Sequence, residues 1–63
     1  MDSRFNIGDN VTVKVVDTAS SVGYLGSHRI VMMREFDRLR NEWRYLTQPY
    51  NGTGYAWFWE HEL

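Results

Sequence analysis

HRIVMMREFDRLRNEWRYLTQ, residues His28 to Gln48, decides the fold, because it suits two different backbones. As strands it divides into His28 to Phe36, a polar turn around Asp37 to Glu42, and Trp43 to Gln48. Ile30 and Val31 are β-branched near the start of the first strand. Trp43, Tyr45 and Thr47 alternate along the second, as a half-buried strand requires. As a helix, Met32, Phe36, Leu39, Trp43 and Leu46 fall four, three, four and three residues apart and make one apolar stripe. Charge weakens that helix. Arg34/Arg38 and Arg40/Arg44 are like-charged at four-residue spacing, each pair costing about 0.2–0.5 kcal/mol. Arg38/Glu42 recovers part of this in the less favoured order. Local signals leave two fold classes open: all-β, or α+β with a helix over residues 31–46.

The flanks read more simply. Val11-Thr12-Val13-Lys14-Val15-Val16 places Val11, Val13 and Val15 on one side of a strand and Thr12 and Lys14 on the other, with Gly8-Asp9 turning the chain into it. Asp17 to Gly26 (DTASSVGYLG) is small, polar and irregular. Gly23 and Gly26 mark places that need positive φ or close approach. The Lys-Ser/Thr of a phosphate-binding loop is missing. Pro49 stops the element before it, and Asn51-Gly52-Thr53-Gly54 turns the chain. Tyr55 to Glu60 then alternates Tyr55, Trp57 and Trp59 with Ala56, Phe58 and Glu60, the pattern of a strand.

Sixty-three residues starting at Met1 predict one complete domain over residues 1–63, with residues 1–6 as an N-terminal arm. A chain this short buries only about 60% of its unfolded surface. Without Cys it has no disulfide or thiolate–metal staple, so its aromatics must supply the core. No apolar run approaches the roughly 20 residues of a membrane span. Met1 to Phe5 lacks the apolar heart of a signal peptide, which predicts a cytoplasmic address. The net charge of −1 argues against a protein that lives by phosphate contacts, which usually needs a clear excess of cations.

Gly8-Asp9-x-Val11-x-Val13, Gly23-x-x-Gly26 and the ending Trp57-Phe58-x-Glu60-x-Glu62-Leu63 together resemble a small SH3-like β-barrel. They are most similar to the very short, YorP-like barrel proteins of phages and prophages. The likeness runs from about Gly8 to Leu63 and differs in the middle, where Arg34 to Glu42 is longer and more charged than a tight hairpin needs. It implies an all-β barrel of about five short strands, closed by Glu-x-Glu-Leu in a 3₁₀ turn. It also implies that Phe58 and Leu63 point inward with Val11, Val13, Ile30 and Met32, and that Tyr55, Trp57 and Trp59 point outward.

Ten aromatics exceed what so small a barrel can bury. Tyr24, Tyr50, Tyr55, Trp57 and Trp59 are therefore the candidate partner-binding residues, since exposed Trp and Tyr give large contact area at small entropic loss. In SH3-like barrels such a patch binds extended peptides. Arg29, Arg34, Arg38, Arg40 and Arg44 are candidates for the rim of a protein interface or for phosphate contacts. Glu35, Asp37 and Glu42 among them suggest a solvated face of ion pairs instead. Glu60-His61-Glu62 could ligate a metal only with a further cluster, which the sequence lacks. The two carboxylates are expected to accept hydrogen bonds from turn amides, leaving His61 exposed. Ser3, Ser20, Ser21 and Ser27 have no nucleophile context. The expectation is a non-catalytic phage or prophage accessory module that docks on a protein partner, with no cofactor, metal, membrane or small-molecule substrate. The alternative is binding of single-stranded nucleic acid through the aromatics and the Arg29–Arg44 segment.

Overall fold

In the computed structural model, which describes residues 2–15 and 23–63, the deciding stretch forms two antiparallel strands. The elements in order are β1 (Asn10–Thr12), β2 (His28–Asp37), β3 (Glu42–Pro49), β4 (Ala56–Trp59) and a 3₁₀ turn (Glu60–Glu62). They form one antiparallel sheet in the order β1-β2-β3-β4. The all-β class holds, with four strands among the described residues against the expected five or so. The helix over residues 31–46 is overturned. Its stripe residue Leu39 stands 99% exposed at the tip of the β2–β3 hairpin. There the Arg40 amide donates to Asp37 Oδ1 (2.9 Å), and Asn41 takes φ +56°, which Asn tolerates better than most residues.

The sheet curls, and its two ends meet through the C-terminal turn. The amides of Lys14 and Val15 both donate to the Glu62 carbonyl, at 2.7 and 3.2 Å. This tie ends the regular strand early, and Val15, expected on the apolar face, is exposed. Val16 and residues 17–22 of the expected loop lie outside the described residues. Gly26 has the positive φ foreseen for it, whereas Gly23 does not.

The core is Val11, Val13, Val31, Tyr45, Phe58 and Leu63, with Phe5, Trp43 and Ala56 packed against it. Ile30 and Met32 are not in it, contrary to expectation. Arg29 and Val31 hold the inner positions of β2, because Val31 lies opposite the buried Thr47. The register then slips between Val31 and Met33, so that Met33 faces outward opposite Leu46. No helix among the described residues is long and apolar enough to cross a membrane.

Candidate functional site

Directly opposed residues in an antiparallel sheet share a face. Phe58 is buried opposite Tyr45, so its neighbours Trp57 and Trp59 must point outward. The register extends this outer face across the sheet. Met33, Leu46 and Trp57 form one row, and Glu35, Arg44 and Trp59 the next. Trp57 is 40% exposed and Met33 54%, while Leu46 and Trp59 are half-buried.

Both indoles are braced from above. The Arg44 guanidinium lies 4.4 Å from the Trp57 ring centre, and that of Arg40 lies 4.0 Å from Trp59. Arg44 is itself held by Glu35, its Nε and Nη2 donating to Oε1 at 2.9 and 2.6 Å. Arg40 sits 3.6 Å from Glu42. The second Glu42 oxygen accepts the His61 amide (3.0 Å) and lies 2.5 Å from His61 Nδ1. Burial alone would raise the Glu42 pKa. The His61 hydrogen bonds, with the charges of His61 and Arg40, outweigh it and hold the carboxyl below its usual range.

The other candidate aromatics, Tyr24, Tyr50 and Tyr55, are also exposed. Tyr24 is 37% exposed and packs edge-on to Phe58, ring centres 5.4 Å apart. Tyr50 lines an open groove of about 380 Å³ with Asn10, Val11, Thr12, His28 and Asn51. Tyr55 is exposed just before β4. Met33 and Leu46, which complete the outer face, were not among the sequence candidates. Their place depends on the register slip beside Val31, and no local pattern announces it.

The arginines also divide. Arg29, expected on a rim, is only 2% exposed. Its Nε donates to Thr47 Oγ1 (2.6 Å) and its Nη2 to the carbonyls of Gly54 (2.9 Å) and Thr47 (3.3 Å), with Tyr24 and Phe58 rings 5.0 and 5.4 Å away. Burial pulls its pKa below the ordinary arginine value, Tyr24 opposing slightly. This side chain belongs to the core and not to a surface. Arg34 straps the N-terminal arm, its Nη1 donating to Ser3 Oγ (2.7 Å), Asn6 Oδ1 (3.0 Å) and the Phe5 carbonyl (3.2 Å). Arg38 is exposed in the hairpin. Only Arg40 and Arg44 border the aromatic face.

Of the terminal carboxylates, Glu62 accepts a turn amide as expected, from Trp59 (2.8 Å). Glu60 instead accepts the Tyr45 hydroxyl and the Arg4 amide, both at 2.8 Å. Burial first, then Glu60, pushes the Tyr45 pKa above its ordinary value. Among the described residues no three His, Asp or Glu side chains gather as metal ligands. No family model, curated protein or solved structure matches the chain.

Proposed function

We propose that the chain is a small non-catalytic docking module that takes a protein partner on its outer β3–β4 face. In keeping with the resemblance of its Trp57–Leu63 ending, it would serve as a phage or prophage accessory protein. The observation that carries this is Trp57, an indole 40% exposed on β4, in one row with Leu46 and Met33 and braced by Arg44. A ring already held in place loses little freedom on docking, so most of its buried area contributes to affinity. Glu35 and Glu42 balance Arg44 and Arg40 around the face. The fitting partner surface is therefore an apolar groove with a rim of low net charge.

Nucleic acid is the weaker reading. Base stacking needs open ring faces, and here guanidinium groups lie over both indoles. Those same cations are already paired with carboxylates.

The two readings separate in one experiment. Immobilised wild-type chain should retain a nuclease-resistant protein from lysate, with little change between low and moderate salt. Trp57→Ala should fold normally and retain none of it. Bound material that vanishes with nuclease, or equal capture by the variant, would overturn the proposal.

A further inference from the structure

β1 uses only half of its backbone. In an antiparallel pair, residues alternate between those bonded across the pair and those whose N–H and C=O point away from it. From Asp9 to Val13 the bonded positions are the odd ones. The Val31 amide donates to the Asp9 carbonyl (3.0 Å), the Val13 amide to the Ser27 carbonyl (3.0 Å), and the Gly26 amide to the Val13 carbonyl (2.8 Å). With Asn10 opposite Ile30 and Thr12 opposite His28, the main-chain groups of Asn10 and Thr12 must turn to the free edge. Lys14 faces the same side, and there the Glu62 carbonyl takes its amide. Among the described residues the edge is thus closed at Lys14 and open over Asn10 and Thr12.

We propose that this open edge pairs with β1 of a second copy of the chain, antiparallel about a two-fold axis at Val11. The pattern is its own complement. In that register Asn10 meets the partner's Thr12, and such a pair exchanges both N–H···O=C bonds, so every free group on both strands is satisfied. A strand of another protein would also find donors and acceptors here, but only the second copy fixes the register by symmetry and closes without leaving a further edge of the same kind. The open stretch carries neither Pro nor charge, the devices by which sheets usually block such pairing. The register also seats a side chain. The partner's Asn10 falls opposite Thr12, on the outer face, at the mouth of the groove lined by Thr12, His28, Tyr50 and Asn51. The Thr12 hydroxyl and His28 Nδ1, 3.2 Å apart, offer partners for its amide.

Sedimentation of the purified chain at rising concentration is the test. The wild type should move from monomer mass to twice that mass. Thr12→Pro should stay monomeric with an unchanged fold, because it deletes an N–H that only the dimer uses. Val11→Cys places thiols at a non-hydrogen-bonded pair about 4.5 Å apart between Cα atoms, within disulfide reach, and should cross-link on oxidation. Asn10→Cys, out of register with its own copy, should not. A wild type that stays monomeric at millimolar concentration overturns the proposal, as does a dimer indifferent to Thr12→Pro or cross-linking at Asn10 instead of Val11. Trp57→Ala should dimerise normally, so failure here is distinct from failure of the docking face.

Discussion

Arg29 and Arg44 occupy opposite faces of one sheet, and each lies against aromatic rings, yet only Arg29 is inside. The ring contacts do not explain the difference. A guanidinium over an aromatic face contributes about 0.5–1 kcal/mol when exposed and about 2 kcal/mol when desolvated, too little to remove a charge from water. Fixed acceptors explain it. Around Arg29, Thr47 and Gly54 present oxygens whose positions β3 and the following turn set in advance. Around Arg44 the acceptor is Glu35, a side chain itself mostly in solvent. The same pair of groups is therefore part of the interior on one face and open to solvent on the other.

The sharpest way to break that comparison is Arg29→Ala. It removes the donors to the Thr47 and Gly54 carbonyls and leaves a void beside Tyr24 and Phe58. We expect a loss of at least about 3 kcal/mol, comparable to the whole stability of so short a chain. Thermal unfolding by near-ultraviolet circular dichroism reads it. Arg29→Lys should not restore the fold, since a single ammonium cannot span the same acceptors. An unchanged melting curve would mean that water replaces the guanidinium, and the inner face would then be no different in kind from the outer.

Next in size is Tyr45→Phe, which deletes the bond to Glu60 and should cost about 1 kcal/mol. It also carries a pH signature. The native state holds the phenol neutral and its pKa raised, so the contribution is full below the ordinary value of 10.0 and drains away as pH climbs towards the raised one. Wild type should lose stability in that alkaline range, and Tyr45→Phe should lose less.

This difference between faces also marks how far the sequence could be read. The last strand followed from the alternation through Trp57, whereas Trp43, Tyr45 and Thr47 fitted strand and helix alike and only the resemblance favoured strands. Alternation put Val11 and Val13 on one face, and the resemblance implied that they point inward with Phe58 and Leu63, as they do. β2 escaped that logic. Its core positions are Arg29 and Val31, and a charged residue reads as outward unless its acceptors are known. Those acceptors lie on Thr47 and Gly54, distant in sequence. The slip past Val31 then shifts the second half of the strand. The outer β3–β4 face mixes both cases, with Trp57 and Trp59 visible from the alternation of β4 and Met33 and Leu46 visible only from the register.

On the outer face the effects shrink. Glu42→Gln should cost less than about 1 kcal/mol, because the pair is partly solvated. Its direction with pH is fixed by the lowered pKa. The carboxylate contributes fully above its ordinary value of 4.5, and the contribution is lost as pH falls through the depressed one. Acid unfolding of the wild type should therefore be steeper than that of the variant, and identical profiles would show that His61 and Arg40 do not hold Glu42 in solution.

Smallest of all should be Arg44→Ala, the counterpart of the first substitution. Its ion pair with Glu35 is exposed and its ring contact is solvated, so stability should move by no more than about 0.5 kcal/mol. What should change is the indole beneath it. With the guanidinium gone, Trp57 offers more of its face to water, and a variant keeping Trp57 as its only tryptophan should show stronger acrylamide quenching than the same background with Arg44. If that variant instead melted as early as Arg29→Ala, the outer arginine would be holding the sheet together. The exposed indole would then be a by-product of folding and no longer a surface set aside for a partner.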